Sequence, residues 1–382
     1  MKKTLLSLAL ISTCSSAIAG ELYNGRLAGM SGAGYATSDY SDGLLLNPAL
    51  GAAHTKDDDF ALVLSLGALG SDKDKLIDAM DDLVDYTDEL KKISNVQDLD
   101  PNSANKLKAY MAKVDDKHVQ VLAGASLVVA VPNDTLSVAL VAKGYGLVGI
   151  HSEVDDSDYV LIDNAVNAPF DPEDLKSSVT GRGAFVEEIG ISFAKAIVDM
   201  EDEKILVGVT PKRVSVETIV YKATVSSYDE DDLDSDDFTK ESSGTSLDAG
   251  ITSIMGDMRY SFVISDLISK DFKTITTEKF ELKSKATVAV GYKKGWLTAE
   301  GSLDLNATPA FGLGGDTQMF RAGIDMSPVR FVHIRAGLAH DLEDTLEDTY
   351  SIGLGFFDVL DISAFTGSNE TTGASIGLGM RF

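Results

Sequence analysis

Alternation of apolar with small or charged residues recurs through most of this sequence. From 373 to 382 every second residue is apolar, and the residues between are glycine, serine or arginine. From 320 to 326 the apolar residues alternate with Arg321, Gly323 and Asp325. Side chains of a β-strand point alternately to its two faces, so each segment predicts a strand with one apolar face. Charge on the opposite face fits the lumen of a transmembrane barrel better than a dry core.

Repetition of this pattern predicts an all-β protein, a transmembrane antiparallel β-barrel of about fourteen strands. An even strand number is typical of bacterial outer-membrane barrels. The predicted strands are 59–68, 118–131, 136–150, 181–195, 204–224, 245–255, 258–267, 283–292, 296–305, 317–327, 330–340, 349–357, 359–365 and 373–382.

Connections between the predicted strands fall into two kinds. Tight turns are predicted at Pro132-Asn133-Asp134, Gly256-Asp257, Lys294-Gly295, Pro328 and Asp358, where turn-forming residues cluster. Long polar stretches are 70–117, 152–180, 225–244, 269–282 and 306–316. Short turns on one rim and long loops on the other are the periplasmic and extracellular asymmetry of outer-membrane barrels.

The N-terminus has the features of an export signal. Two lysines precede an apolar run at 5–11, and Ala-Ile-Ala follows at 17–19, which predicts a cleaved signal peptide over residues 1–19. A lipoprotein signal ending at Cys14 is the alternative, but the threonine before the cysteine fits it poorly. Cleavage after residue 19 removes the only cysteine of the chain, which excludes disulfides and thiol chemistry.

Composition and motifs exclude several functional classes. A formal charge of -27 repels phosphate backbones, so we expect no nucleic-acid partner. The sequence contains no dinucleotide, Walker, HExxH or G-x-S-x-G pattern, and we predict no catalytic residue, no metal site and no cofactor. The acidic run at 229–237 could bind Ca²⁺, but it lacks the glycine and terminal glutamate of a calcium loop, which favours a solvated loop.

The longest loop, about 70–117, has helical rather than strand periodicity. We expect short helices that fold over the extracellular mouth, with packing on the rim favoured over a ligand groove. The pattern is an apolar stripe of Leu76, Met80, Leu83 and Leu90, followed by a second candidate helix at 103–111.

A glycine-rich segment, 20–58, precedes the first predicted strand and is too irregular to form strands itself. A barrel of fourteen strands leaves a lumen wider than its own side chains fill, so this segment is expected to be a luminal hatch, followed by the barrel over 59–382. Pro48 would fix φ and remove a donor where the chain turns back. The hatch motif comprises Gly29, Gly32, Gly34, Asp39, Asp42, Asn47, Pro48 and Ala49.

This motif resembles the N-terminal hatch of the FadL-type hydrophobic-compound transporters. Among these transporters, the TraF-like proteins, named after a conjugal-transfer operon, are similar to this sequence in the opening pattern, in length and in the terminal phenylalanine. The resemblance implies an outer-membrane channel for passive diffusion of a small hydrophobic ligand. The alternative is a structural or interaction barrel at the cell surface, associated with conjugal transfer or secretion. A continuous apolar tunnel past Asn47 would favour transport, and a lumen closed by ionic pairs would favour a scaffold.

Inward-pointing polar residues and the last residue complete the predicted sites. Phe382 resembles the terminal aromatic that the barrel-assembly machinery reads, and the other expected partners are outer-membrane lipid and lipopolysaccharide. The predicted luminal polar residues are Glu300, Asp304, Arg321, Asp325, His333, Arg335 and Arg381.

Overall fold

The computed structural model describes most of the chain. The predicted signal peptide and the acidic run at 229–237 lie outside the described residues, so both remain expectations. The described residues are 24–72, 75–92, 100–165, 171, 174–224, 238–275, 279–310, 315–367 and 371–382.

Fourteen antiparallel strands close into one barrel, and two short hairpins lie in its connections. Each barrel strand pairs with the next one along the chain, and β18 closes the ring against β1. The hairpins are β8 with β9 and β12 with β13. The strands are β1 (Ala61–Ser71), β2 (Lys117–Val131), β3 (Ser137–Glu153), β4 (Ser178–Asp199), β5 (Glu203–Thr224), β6 (Thr239–Met255), β7 (Met258–Ser265), β8 (Lys270–Lys273), β9 (Lys279–Leu282), β10 (Lys285–Lys294), β11 (Leu297–Asp304), β12 (Thr308–Ala310), β13 (Gly315–Thr317), β14 (Met319–Val329), β15 (Val332–Asp341), β16 (Thr349–Phe356), β17 (Leu360–Gly367) and β18 (Thr372–Arg381).

The predicted fold class is confirmed, because each of the fourteen predicted strands overlaps one barrel strand. The two short hairpins were missed. Their strands have only three or four residues, too few to show a period of two.

Large apolar side chains cover the outside of the barrel. Leu64, Ile191, Phe262, Ile352 and Leu378 are among the exposed residues, and each lies on an outward strand position. A soluble protein rarely leaves so much contiguous apolar surface in water, whereas a belt of this kind matches the hydrocarbon of a bilayer.

The barrel wall is taller on one side. β4 and β5 have 22 residues each, whereas β7 and β16 have 8 each. Since roughly 9–11 tilted residues cross a bilayer, the long strands extend beyond the hydrocarbon. They extend at the rim of the long loops, because the opposite rim has tight turns such as those at Gly256 and Gly295, both with positive φ.

Within the described residues, four α-helices accompany the barrel. α1 (Gly25–Ala28) precedes the first strand, α2 (Leu76–Lys92) and α3 (Pro101–Val114) lie in the β1–β2 connection, and α4 (Asp156–Asn164) follows β3. None of the helices in the described residues is long and apolar enough to cross a membrane.

α2 and α3 confirm the predicted helices of the first long loop, and α4 was missed. Leu76, Leu83 and Leu90 of the predicted stripe pack in one buried cluster with Met111 of α3 and Val119 of β2. The stripe therefore packs at the rim, as we favoured.

The last residue completes the seam between β1 and β18. The Phe382 N–H donates to the Phe60 carbonyl at 2.9 Å, and the Phe382 carbonyl accepts from the N–H groups of Asp59 at 2.6 Å and Phe60 at 3.1 Å. The Phe382 ring is 66% exposed, so its removal would cost little stability in the folded barrel.

Replacing the ring of Phe382 tests its role in barrel assembly, because the exposed ring contributes little to the stability of the folded barrel. We expect Phe382→Ala, which keeps the seam hydrogen bonds, to lower the amount of heat-modifiable barrel in the outer-membrane fraction without changing export. Phe382→Tyr is the matched control and should insert normally. Normal insertion of Phe382→Ala would contradict a role of the ring as an assembly signal.

Candidate functional site

The hatch, whose described part is residues 24–58, lies inside the barrel near the rim of tight turns. Residues 27–38 and 40–51 are buried throughout. Its contacts include Arg381 at the end of β18 and Gly208 near the start of β5, both at that rim. The segment therefore occupies this half of the lumen.

Two asparagines shape the hatch backbone. The Asn24 side chain accepts from the N–H groups of Arg26 and Leu27 and so caps α1. The Asn47 side chain accepts from the Ala49 N–H at 3.0 Å, and Pro48 occupies the first position of the 3-10 helix Pro48–Ala52, where its missing N–H costs nothing. The predicted Asn-Pro-Ala motif therefore forms a capped turn.

Asn47 also ties this turn to the barrel wall. Its amide donates to the Tyr35 carbonyl at 2.7 Å within the hatch and to Thr252 Oγ1 of β6 at 2.9 Å. Asn47 is fully buried. Asn47 is therefore packed between the hatch and the barrel wall.

Glycines on the inner wall let the hatch backbone approach the strands. A Cβ atom at Gly208 would collide with the Pro48 carbonyl, and one at Gly337 would collide with the Met30 backbone. In the hatch itself, Gly29 lies against Gly353 of β16. Alternation with glycine predicted the inward face, but only the structure shows that the hatch motif packs on these glycines.

Glu300 of β11 holds the hatch through its backbone. Its Oε1 accepts from the Gly34 N–H at 2.7 Å, and its Oε2 accepts from the N–H groups of Ala36 at 3.0 Å and Thr37 at 2.8 Å. The Thr37 hydroxyl donates to Oε2 as well, at 2.7 Å. Four donors thus converge on one buried carboxyl group.

A cluster of two arginines and two aspartates, called here the rim cluster, joins the hatch to β18. Arg26 forms an ion pair with Asp39. Arg381 Nη2 lies 2.5 Å from Asp42 Oδ2 and 3.1 Å from Asp39 Oδ2. The predicted hatch residues Asp39 and Asp42 and the predicted luminal residue Arg381 therefore belong to one cluster.

Inward side chains of β14, β15 and β17 extend the charge network. Arg335 Nε donates to Asp325 Oδ2 at 3.0 Å, and its Nη1 donates to Asp361 Oδ1 at 2.5 Å. His333 Nδ1 lies 2.8 Å from Asp325 Oδ1. Arg26 Nη2 lies 3.8 Å from Asp325, which links this network to the rim cluster.

The two aspartates of the rim cluster have opposite pKa shifts. Burial would raise the pKa of Asp39, but Arg381 and Arg26 together lower it well below 3.8. Burial, together with the charge of Asp39, raises the pKa of Asp42. Asp39 therefore has the lower pKa of the two carboxyl groups.

A further buried ion pair lies on the wall away from the rim cluster. Arg321 Nη1 donates to Asp304 Oδ1 at 3.1 Å, and Thr287 Oγ1 donates to the same oxygen at 2.8 Å. Arg321 is fully buried and its guanidinium lies 5.9 Å from the ring centre of Tyr35 in the hatch.

All seven predicted luminal polar residues point inward, but they do not line water. All seven bond to the hatch or to one another, and Arg321 also lies beside Tyr35 of the hatch. The charged face was expected to line a lumen rather than a dry core; in this half of the barrel the hatch fills the lumen, and pairing largely replaces hydration.

A packed apolar cluster lies on the long-loop side of the hatch; it is called here the chamber, because its wall residues surround the β8–β9 hairpin. The β8–β9 hairpin folds into the lumen and contributes Phe272, Phe280 and Leu282, which are almost fully buried. The chamber is the cluster of Ala28, Leu122, Tyr145, Leu147, Ala184, Val186, Val214, Val216, Phe272, Phe280, Leu282 and Phe365.

Lys212 of β5 anchors the hairpin below the chamber. Its Nζ lies 2.8 Å from Glu188, 3.0 Å from Asp248 and 2.8 Å from Asp266, which precedes the hairpin by four residues. Tyr145 donates to the other oxygen of Glu188 at 2.9 Å. Sequence analysis missed this group, although Lys212 is a cation among the otherwise uncharged inward residues of 206–218.

Neutralising Glu300 should loosen the hatch. Glu300→Gln keeps the shape but loses the charge, at an expected cost of about 2 kcal/mol in hatch docking, since hydrogen bonds to charged groups are the stronger ones. The hydrogen-exchange rates of the backbone amides of Gly34, Ala36 and Thr37 measure this loss of hatch docking. Glu241→Gln, on an exposed position of β6, is the control. Unchanged exchange at the three amides would refute this role.

The opposite pKa shifts predict unequal effects of Asp39→Asn and Asp42→Asn. A carboxyl with a lowered pKa stabilises the folded state above its ordinary value of 3.8, and this contribution is lost as the pH falls through the lowered pKa. A carboxyl group with a raised pKa has the opposite effect on stability, because its ionisation destabilises the folded state as the pH rises through the raised pKa.

At pH 7 we therefore expect Asp39→Asn to reduce the hydrogen-exchange protection of hatch residues 24–53 more than Asp42→Asn does. Between pH 7 and pH 5 the contribution of Asp39 to this protection should not change in the unaltered chain, because its lowered pKa keeps the group ionised over that range. A larger loss in Asp42→Asn would show that the assignment is reversed.

Comparisons with known proteins agree with this geometry. The family model described as "F plasmid transfer operon, TraF, protein" matches residues 44–304. No curated protein sequence matches the chain.

Two solved structures share the fold at low identity. A "TodX deltaS2S3 mutant monoaromatic hydrocarbon channel" is 10% identical, with a TM-score of 0.51 over 94% of this chain and 97% of the other. The "P. putida toluene transporter TodX" is 9% identical, with a TM-score of 0.50 over 95% and 99%. The family model covers more than half of the sequence, and the chain therefore belongs to the family of the F plasmid transfer operon TraF protein.

Proposed function

We propose that this protein is an outer-membrane channel for the passive diffusion of small hydrophobic compounds. The observation that carries the proposal is the apolar chamber. A pore for ions or sugars presents polar groups to water. Here the inward faces of β2, β3 and β5 carry Leu122, Leu147, Val214 and Val216, so an apolar solute would be favoured over a hydrated one.

The solved structures with the same fold are consistent with this choice. One is described as a monoaromatic hydrocarbon channel and the other as a toluene transporter. At 10% identity or less the likeness concerns the fold, and the chamber of this chain supplies the chemical argument.

Transport in this proposal requires movement at two places. The hairpin carrying Phe272 and Phe280 fills the chamber, and the hatch closes the lumen beneath it. An apolar solute entering from outside would replace the contacts of the two phenylalanine rings. It would then pass when the hatch shifts away from the wall.

The proposal also specifies where in the cell the protein is located. Residues 1–19 would direct export and be removed, 20–58 would form the hatch, and 59–382 would span the outer membrane of a Gram-negative bacterium. The barrel-assembly machinery would insert the chain, and the exposed apolar belt would then contact lipid and lipopolysaccharide.

A second candidate function is a structural or interaction barrel associated with conjugal transfer or secretion. The observation that favours it is closure of the lumen by the rim cluster and the ion pairs around Arg335. Cross-linking in intact cells would recover a specific partner protein if this function is the principal one.

Uptake of labelled toluene by intact cells tests the channel. Intact cells are needed because toluene crosses plain phospholipid bilayers unaided. We expect cells that produce the barrel to take up toluene several-fold faster than cells that lack it. Equal rates would refute transport and leave the scaffold function.

A hairpin variant sharpens this test. Phe272→Ala with Phe280→Ala removes the rings that fill the chamber and should raise the uptake rate further at equal barrel abundance. Phe262→Ala with Phe320→Ala, on the lipid-facing surface, is the matched control. A rate unchanged by the chamber variant would contradict the proposed route.

A further inference from the structure

A cavity of about 120 Å³ opens at the long-loop rim, between the ends of β1–β3 and the β15–β16 connection. Leu69, Leu122 and Leu147 form its apolar side. Leu122 and Leu147 also belong to the chamber, and Leu69 packs against it. The cavity is therefore an antechamber that shares one wall with the chamber.

The size of the cavity limits its occupant. An apolar cavity of about 150 Å³ in another protein binds benzene. A space of about 120 Å³ is somewhat smaller, so it holds at most one six-membered ring, with any substituent at the opening of the cavity.

Polar groups on the opposite side select the substituent. Glu347 and Thr371 line this side, whereas His118 and Gln120 lie on β2 beside Leu122. Glu347 Oε2 accepts from Thr371 Oγ1 at 2.9 Å, which fixes the carboxyl group against the cavity. A carboxylate favours a hydrogen-bond donor and repels an anion, and the net charge of -27 acts in the same direction.

We propose that this cavity binds a neutral single-ring aromatic compound that carries a hydrogen-bond donor, of which phenol is the simplest. The ring lies against the three leucines, and the hydroxyl group donates to the polar side that contains Glu347. The inference rests on the proposed function, since the bound molecule is the one that the adjoining chamber would receive. It adds a class of ligand and a site to that function.

Equilibrium binding to the full-length barrel in detergent tests the site with three probes of one ring size. Phenol should bind in the millimolar range or tighter, toluene several-fold more weakly, and benzoate not at all. Glu347→Gln should weaken phenol binding about five- to tenfold and leave toluene unchanged, because a charged acceptor gives the stronger hydrogen bond. Glu343→Gln, in the same connection but outside the lining, is the matched control.

Leu69→Trp fills the cavity and should abolish binding of both phenol and toluene, with heat-modifiability showing that the barrel still folds. Toluene binding tighter than phenol would overturn the ligand class. Absence of any binding, in a barrel that still accelerates toluene uptake by cells, would overturn the site and leave the channel. Phenol binding to a barrel that accelerates no uptake would support the site and refute the channel.

Discussion

A carboxyl group buried in the lumen must be paired, and in this barrel the hatch backbone pairs it. Glu300 lies inside the wall with four donors from Gly34, Ala36 and Thr37. Without the hatch, this group would need water, and without Glu300, three N–H groups of an irregular segment would lose their acceptor. The position of the hatch is therefore set by hydrogen bonding rather than by apolar packing alone. Inner glycines such as Gly337 make that position accessible to the backbone.

The lumen is divided into two regions of different chemistry. Near the tight turns, Arg381 pairs with Asp42 between the wall and the hatch, and Arg335 pairs with Asp325 within the wall. Towards the long loops, the inward residues of the tall wall become leucine and valine and enclose the hairpin rings. The β8–β9 hairpin folds into the lumen against the tall wall, and its rings complete the chamber.

The strands were predictable because successive side chains face lipid and lumen in turn, so apolar and polar or small residues alternate. This alternation can be recognised from neighbouring residues in the sequence. The inward direction of Glu300 and Arg335 followed from the same period. Their partners did not, because the donors to Glu300 lie more than 260 residues away in the chain and are backbone groups that carry no sequence signal. The hairpin was missed for a related reason: two four-residue strands have no period, and the wall that buries Phe272 is non-local. The glycine-rich hatch could be predicted as a segment but not as a set of contacts.

The lumen is filled at two levels, by the hatch with its ion pairs and by the hairpin rings in the chamber. The two differ in what can take over their contacts when they move. Ion pairs released from the hatch can be hydrated, so water recovers much of the energy of opening and no particular solute is required. The rings of Phe272 and Phe280 gain nothing from water, and an apolar molecule is what can restore the contacts that the chamber wall loses when they leave. In the proposed channel, selection for apolar solutes would therefore belong to the hairpin and the chamber. The hatch would control passage without contributing to that selection, so charged groups in the half of the lumen near the tight turns are compatible with the proposed hydrophobic solute.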